Sequence, residues 1–326
     1  MEIVKNGVTL SLPADVLEGA INNYPAADID KITVRLEVMN DSDSESVLDR
    51  ISADKASVQG KGYVVRLDVA ILNKAGMKFR YEKFNTPVQL AFNIPEGMDS
   101  RLLGVYYISS SGKLEFVGGH MANHKLQAEL YHFSEYAVLE WSKLYTDVSA
   151  NHWANMAIRT LSAKHVVTGL SDAEFAPSAA VTRAQFVTMI VRAFGLQGHT
   201  GKAKPFTDVA DHAWYSEAIS IASAAGIVDG ASADRFEPNA EITREQMAAM
   251  VVRAWEAANG AFSTSSKELN FQDQTEVSDW ALSAMQIAVE QNWLQGQGAN
   301  LLAPKAFTTR AESAMLLYNV FLNQYQ

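Results

Sequence analysis

Val181-Thr-Arg-Ala-Gln185 recurs twice further along the chain, as Ile242-Thr-Arg-Glu-Gln246 and as Thr308-Thr-Arg-Ala-Glu312. In each copy a tryptophan lies 30 residues before the arginine, and a glycine lies 14 residues before it. Since chance does not preserve two spacings through three copies, we interpret the chain from Leu144 onward as three structural repeats.

Each repeat is predicted to hold two helices. An apolar stripe that follows the tryptophan predicts the first helix. The second helix is predicted to begin at the Thr-Arg pair, because Thr182-x-x-Gln185, Thr243-x-x-Gln246 and Thr309-x-x-Glu312 match the capping-box pattern. The apolar residues behind each cap recur at the same offsets, so three equivalent helices can bury their faces together about a pseudo-threefold axis.

An arginine occupies the first position of each second helix, where a cation faces the positive end of the helix dipole. This position is electrostatically unfavourable for an arginine, and two roles would justify the cost about equally well. The arginine, beside free N–H groups at the helix start, holds a carboxylate or phosphate; or it pairs with an acid of a neighbouring repeat and braces the assembly. The residues are Arg183, Arg244 and Arg310.

Three further positions recur in every repeat. The aspartates before the first helix are turn or cap residues, or acceptors for sugar hydroxyls. The tryptophans are core anchors, the commoner role, or exposed platforms for the apolar face of a sugar. In chain order the three sets are Asp147, Asp208 and Asp273; Trp153, Trp214 and Trp280; and Gly169, Gly230 and Gly296.

Residues 1–142 have a different texture, with alternating apolar segments separated by Gly, Pro, Asn and Ser. This period of two predicts antiparallel strands, and the length fits a β-sandwich. Ser109-Ser-Ser-Gly112 is predicted to be a hairpin turn. Short helices are expected at Pro13–Asn22 and Ser44–Ser52. The fold class is therefore α+β in several domains.

Composition narrows the function classes. Lys and Arg number 27 against 37 Asp and Glu, and the net charge of -10 disfavours nucleic acid or an anionic membrane held by bulk charge. Cysteine is absent, which excludes disulfides and thiolate metal sites. His120 and His124 lack a third ligand, so no metal site is predicted. No apolar run approaches a membrane helix, and the start lacks a signal peptide, which favours a fragment of a longer secreted protein.

The three repeats resemble tandem S-layer homology (SLH) domains, with Thr309-Arg-Ala-Glu312 carrying the family signature as such. The resemblance covers about residues 144–326, as repeats 144–200, 201–262 and 263–326. It implies a three-pronged spindle around a central three-helix bundle. It also implies noncovalent anchoring to secondary cell wall polymers of Gram-positive bacteria, typically through pyruvylated N-acetylmannosamine. We expect a noncatalytic module that uses no cofactor.

The resemblance also implies roles for the recurring residues. The motif arginines would bind the pyruvate carboxylate, and the aspartates would accept hydrogen bonds from sugar hydroxyls. The glycines would let the backbone approach the ligand, and the tryptophans would form the walls of the groove. The third repeat has one extra residue before Trp280 and Leu302 in place of Phe, so its groove is expected to be altered. Secretion to the cell wall or S-layer follows, with lattice self-association as a further partnership that the resemblance allows.

A second function class remains open. His132-Phe-Ser134 weakly resembles the last strand of autoproteolysis domains, with His132 as base and Ser134 as nucleophile. The alternative is therefore a surface polysaccharide hydrolase fragment or a self-cleaving protein, with its chemistry in residues 1–142.

Overall fold

A computed structural model describes residues 1–22, 28–51, 57–94, 96–196, 203–262 and 268–324. The chain divides into two compact units, Met1–Lys143 and Leu144–Gln324, which we call the β unit and the helical unit. Among the described residues, no helix has both the length and the apolar character to cross a membrane. The same part of the chain holds no group of three or more acidic or histidine side chains arranged for a metal ion.

The β unit consists of strands and two short helices. The strands are β1 (Glu2–Lys5), β2 (Val8–Ser11), β3 (Ile29–Val38), β4 (Val58–Asn73), β5 (Lys78–Arg80), β6 (Lys83–Asn93), β7 (Leu103–Ile108), β8 (Leu114–Ala122), β9 (Lys125–His132) and β10 (Glu135–Trp141). The helices are α1 (Ala14–Asn22) and α2 (Asp41–Leu48). The second helix begins earlier than predicted because the Asn40 side chain accepts a hydrogen bond from Asp43 N and caps it.

The strands pair antiparallel in the order β1-β2-β6-β9-β8-β7-β10-β4-β3, and β5 pairs with β4. The predicted antiparallel pattern and the β7–β8 hairpin are confirmed. Alternate residues of the strands are fully buried, for example Val88, Leu90 and Phe92 on β6, so one face of the sheet covers the core of this unit.

The sheet is strongly curled, because two residues connect strands that are not neighbours. Only Phe133 and Ser134 separate β9 from β10, although β8 and β7 lie between them in the sheet. Three strand spacings span about 14 Å in a flat sheet, whereas three extended residues reach only about 10 Å. Hydrogen bonds from Leu67 N to Ser134 O and from Phe133 N to Glu82 O draw β4, β6 and β9 together at this point.

The helical unit has two helices per repeat. They are α3 (Asn155–Ala163) and α4 (Arg183–Ala193), α5 (Ser216–Ala224) and α6 (Arg244–Asn259), and α7 (Leu282–Glu290) and α8 (Arg310–Gln324). The second helix of each repeat packs on the first helix of the next: α4 on α5, α6 on α7, and α8 back on α3. The chain therefore closes a ring of three repeats.

The predicted capping boxes are confirmed at all three second helices. Gln185 N donates to Thr182 Oγ1 at 3.3 Å, and Thr182 N donates to Gln185 Oε1 at 3.1 Å. The same reciprocal pairs form at Thr243 with Gln246 and at Thr309 with Glu312. Ile190, Val251 and Leu317 behind the caps are fully buried, as the apolar stripe predicts.

Candidate ligand-binding grooves between the repeats

The N–H groups at the helix starts are already occupied, which corrects the expectation of a free helix N-terminus. Arg183 N donates to Ala240 O at 2.9 Å, and Ala184 N donates to Pro238 O at 3.0 Å. Both acceptors belong to the next repeat. The equivalent bonds recur at α6 and α8, so the backbone amides join the repeats and leave no open anion site at these helix ends.

The three motif arginines are buried, with exposed fractions of 6%, 3% and 3% for Arg183, Arg244 and Arg310. Each Nε donates to a carbonyl oxygen of the next repeat. The bonds are Arg183 to Phe236 O (2.9 Å), Arg244 to Leu302 O (3.0 Å) and Arg310 to Phe175 O (2.7 Å). This contact is the bracing role, except that the acceptor is a backbone carbonyl and not an acid.

Burial lowers the pKa of each of these arginines, and nearby carboxylates oppose the shift. An arginine side chain nevertheless stays protonated in proteins. The nearby carboxylates include the recurring aspartate of the next repeat. Each of these pairs marks a junction between two repeats, and we name the junctions groove 1–2 (Arg183 and Asp208), groove 2–3 (Arg244 and Asp273) and groove 3–1 (Arg310 and Asp147), after the grooves that the resemblance implies.

In groove 2–3 the terminal guanidinium nitrogens are both occupied. Arg244 Nη1 lies 3.3 Å from Glu312 Oε1, and Nη2 donates to Gln295 O at 2.9 Å. Gln297 Nε2 also donates to Glu312. A second polar cluster closes the same junction, since buried Glu245 accepts from Ser278 N at 3.0 Å and from Lys305 Nζ at 2.7 Å.

In groove 3–1 the guanidinium is partly occupied. Arg310 Nη2 donates to Thr168 O at 2.5 Å, and no carboxylate among the described residues forms an ion pair with it. The Phe175 ring lies 4.5 Å from Arg310 Cζ and forms a cation–π contact.

In groove 1–2 the terminal nitrogens are open. Arg183 stacks on the Phe236 ring at 4.8 Å, but within the described residues no acceptor meets its Nη1 or Nη2. The corresponding carbonyl, Asp229 O, takes Lys204 Nζ at 2.9 Å instead. Of the described side-chain atoms, those sealed from solvent without a partner are Thr160 Oγ1 and Trp293 Nε1, so the Arg183 nitrogens keep contact with water.

The recurring aspartates hold a backbone turn. Asp147 accepts from Phe175 N at 2.9 Å and from Ala176 N at 2.6 Å. Asp208 and Asp273 accept the same two bonds in their own repeats. The second donor in each repeat has a positive φ, for example 59° at Ala176, so the carboxylate stabilises a left-handed turn. Burial raises the pKa of each aspartate, but the backbone hydrogen bonds outweigh it and the net pKa is lowered.

The recurring tryptophans are exposed, which excludes the core-anchor alternative and agrees with the alternative of an exposed platform. Trp153, Trp214 and Trp280 have exposed fractions of 59%, 64% and 55%. Three apolar rings of this size have no packing reason to remain at the surface, and an exposed aromatic ring is a suitable platform for a sugar.

The recurring glycines leave no space for a side chain. A Cβ on Gly169 would lie 2.3 Å from Ser171 O and 2.7 Å from the Tyr145 ring. On Gly230 and Gly296 it would lie 2.6 Å from the Phe206 and Phe271 rings. Each glycine therefore lets its loop pack against the aromatic residue that precedes the aspartate of the same repeat.

The family model of the S-layer homology domain matches residues 144–187, 205–248 and 270–314. The helical unit is a tandem triplet of S-layer homology domains. An S-layer protein of Bacillus thuringiensis subsp. finitimus is 32% identical over 178 residues, which is 54% of this chain and 21% of the relative. Cell-wall anchoring is the general function that these domains and relatives support, and the chain is a secreted protein of the cell surface or cell wall.

Other relatives of the SLH triplet are named as enzymes. An amylopullulanase of Thermoanaerobacterium thermosulfurigenes is 34% identical over 237 residues, which is 72% of this chain and 13% of the relative. An exoglucanase XynX of Acetivibrio thermocellus is 34% identical over 56% of this chain and 17% of the relative. The chain thus spans about a fifth or less of these relatives. The first match is longer than the SLH triplet, so it includes part of the β unit.

The β unit does not bring His132 and Ser134 into a catalytic pair. The His132 Nδ1 atom lies 3.0 Å from Tyr136 Oη, and no hydrogen bond joins the described His132 ring to the Ser134 hydroxyl. Burial lowers the pKa of His132. The proposed base is therefore engaged with a tyrosine, and the autoproteolysis hypothesis gains nothing from this geometry.

Sequence reasoning did not identify the second role of Glu312. It read this residue only as the capping partner of Thr309, where the other repeats have Gln185 and Gln246. The structure shows that the extra charge also meets Arg244 across groove 2–3. The sequence did show a glutamate where the other repeats have glutamine, which indicated an extra charge. Only the ring arrangement of the repeats shows that this charge lies beside Arg244.

Proposed function

We propose that the chain is a noncatalytic module that anchors a longer secreted protein to the cell wall. Its ligand is a secondary cell wall polysaccharide whose terminal N-acetylmannosamine carries a pyruvate group. The SLH triplet would bind this polymer noncovalently in the grooves between repeats 144–200, 201–262 and 263–326. The ring of packed helices supports a three-pronged spindle with a central bundle, and the curled sheet supports a β-sandwich for residues 1–142.

The observation that carries this proposal is the open guanidinium of groove 1–2. Arg183 is nearly buried, held by one bond through Nε, and stacked on Phe236, so its direction is fixed. Its two terminal nitrogens have no described acceptor, and together they match the two oxygens of a carboxylate. A pyruvate carboxylate would complete the guanidinium without displacing a protein contact.

The other recurring residues surround this anion site in the proposed complex. The Asp208 oxygens accept hydrogen bonds from two backbone amides, and their remaining lone pairs would accept hydrogen bonds from sugar hydroxyls. Exposed Trp214 would pack on the sugar ring, and Gly230 would keep the loop thin at the groove. The equivalent residues would serve the other grooves, and weak sites on one polymer-coated wall would gain by avidity.

The three grooves would not contribute equally. Groove 1–2 offers two free guanidinium nitrogens, groove 3–1 offers one, and Glu312 neutralises the arginine of groove 2–3. We therefore rank groove 1–2 first and groove 2–3 last for an acidic sugar.

Pull-down on purified cell wall tests the function. The full chain is expected to sediment with native wall and to sediment much less, through its residual sugar contacts, with wall from which pyruvate has been removed by mild acid. Equal binding to both walls would reject the carboxylate mechanism while leaving wall anchoring intact. No binding to either wall would reject anchoring itself.

The hydrolase alternative receives no support from Glu135, a carboxylate of the β unit that lies between two arginines. Glu135 bonds to Arg66 at 2.7 Å and to Arg50, and these arginines lower its pKa against the effect of burial. A glycosidase acid needs a raised pKa. Glu135 is therefore unsuited to act as a glycosidase acid, and our proposal assigns no catalytic role to the β unit.

A further inference from the structure

A basic groove of about 930 Å³ lies on the β unit, where the curl of the sheet brings β4, β6 and β9 together. Six of the fifteen lysines and arginines of residues 1–143 line it, in a chain whose net charge is -10. These six are Arg35, Arg50, Arg66, Lys78, Arg80 and Lys83. They come from β3, β4, β5, β6 and the segment after α2, so the fold and not a local run of sequence assembles them.

The acidic residues of this groove do not balance all of its cations. Glu135 is shared by Arg50 and Arg66, and Asp68 lies 3.6 to 3.8 Å from Arg80 and Lys78. No ion pair within the described residues involves Arg35 or Lys83, and both side chains are exposed. Glu82 and Glu115 also line the groove, so six cations face four carboxylates. The excess of positive charge favours an anionic ligand.

The size and the remaining lining indicate the class of anion. A volume of about 930 Å³ is near the upper limit for small-molecule sites, so a single phosphate or acetate would leave it mostly empty. Tyr81 and Tyr107 also line the groove, half-buried, and can pack on sugar rings. Glu82 and Glu115 supply acceptors for hydroxyl groups.

We propose that this groove binds a segment of an acidic polysaccharide through several carboxylates, as a second glycan site separate from the SLH grooves. Arg35 and Lys83 meet the ligand charges, and the tyrosines contact the sugar rings. The inference rests on residues of the β unit alone, so it stands or falls independently of the SLH-based function.

Calorimetric titration of the full chain tests the site with three probes. Tetragalacturonate carries both sugar rings and carboxylates, its methyl ester carries the rings without the charge, and tripolyphosphate carries charge without sugar. Tetragalacturonate is expected to bind about tenfold or more tightly than either of the others, since a fully neutralised ligand loses the ion pairs. Tighter binding of tripolyphosphate would overturn the glycan assignment, and no binding of tetragalacturonate would overturn the site.

Variants place the binding in this groove. Arg35→Gln combined with Lys83→Gln is expected to weaken tetragalacturonate binding about tenfold. Lys5→Gln, which removes an exposed cation from β1, is expected to leave it unchanged. Equal affinity in the double variant and the wild type would assign the binding elsewhere and contradict the proposal. Amide chemical-shift changes in the wild-type chain supply a second readout, because they must concentrate at residues 78–83 and 132–135.

Discussion

Groove 1–2 and groove 2–3 begin from the same motif and end in different electrostatic states. In both, a buried arginine reaches into the next repeat and donates through Nε to the carbonyl of the Phe or Leu before the left-handed turn. In groove 2–3 the terminal nitrogens then meet Glu312 and Gln295 O. In groove 1–2 they meet solvent. The comparison teaches that the bracing role does not exclude the proposed ligand-binding role, because the brace uses Nε and leaves the terminal nitrogens available.

The largest expected effect is on stability, and it comes from a substitution in groove 2–3, where the arginine has all its partners. Arg244→Ala removes the partner of Glu312 and leaves Leu302 O and Gln295 O without their donor. We expect the free energy of unfolding to fall by about 3 kcal/mol or more, as for other broken buried pairs. Urea unfolding monitored by circular dichroism measures this.

Arg183→Ala is the matched variant in the open groove. It removes one hydrogen bond and one cation–π contact, and we expect a loss of about 1–2 kcal/mol. If the two alanine variants lost equal stability, the difference between the grooves would not exist.

The aspartate turns predict an acid dependence shared by all three grooves. Because the folded pKa values of Asp147, Asp208 and Asp273 are lowered, their contribution is fully present above the unfolded pKa of about 4. It is lost as the pH falls through the lower folded values. The melting temperature of the wild type should therefore decrease when the pH is lowered below about 4.

Asp208→Asn supplies the control for this acid dependence. It should be less stable at pH 7, because the two backbone N–H groups donate to different oxygens of Asp208 and an amide has one acceptor oxygen, so one N–H loses its acceptor. It should also lose less stability on acidification than the wild type. An unchanged pH profile in Asp208→Asn would contradict the assignment of this carboxylate.

Glu312→Gln sharpens the comparison by making groove 2–3 resemble groove 1–2. Glutamine keeps the cap on Thr309, as Gln185 and Gln246 do in the other repeats, and frees Arg244 from its counter-charge. Binding of the acidic wall polymer should increase a few-fold, with a stability change within about 1 kcal/mol. Calorimetry with the purified polymer measures the gain, and weaker binding in this variant would show that the glutamate itself contacts ligand.

Trp214→Ala should have the smallest effect on folding. Since its ring is mostly exposed, we expect the free energy of unfolding to stay within about 0.5 kcal/mol of the wild type. Binding of wall polymer should weaken measurably in the same variant. Trp293→Ala is the contrasting control, because that ring is fully buried and its removal should destabilise by about 3 kcal/mol or more.

The helical unit was largely predictable from its sequence, because the caps, stripes and spacings are local. The Thr-x-x-Gln pattern predicted where α4 and α6 begin, and the offsets of Ile190 and Val251 predicted their buried faces. The closure of the ring was not readable in the same way, since it depends on backbone bonds such as Arg310 N to Ala179 O. The exposure of the three tryptophans could not be decided from the sequence, because large aromatic residues are more often buried and the local pattern allowed both roles.

For the β unit, only the alternation of apolar and polar residues along the strands was predictable from the sequence. The period of two indicated antiparallel strands, but it carries no information on strand order, so the curl between β9 and β10 was not foreseen. The basic groove follows from that curl. Arg35 and Lys83 lie 48 positions apart in the sequence and share a groove only because of the strand order.

The central claim is that Arg183 holds a ligand carboxylate in groove 1–2. The most direct measurement compares the affinity of the wild type and of Arg183→Ala for native and for depyruvylated wall polymer, in one calorimetric cycle. We predict that the substitution weakens binding to the native polymer about tenfold or more and leaves binding to the depyruvylated polymer unchanged. An equal loss on both polymers would contradict the claim, since the arginine would then act without the carboxylate.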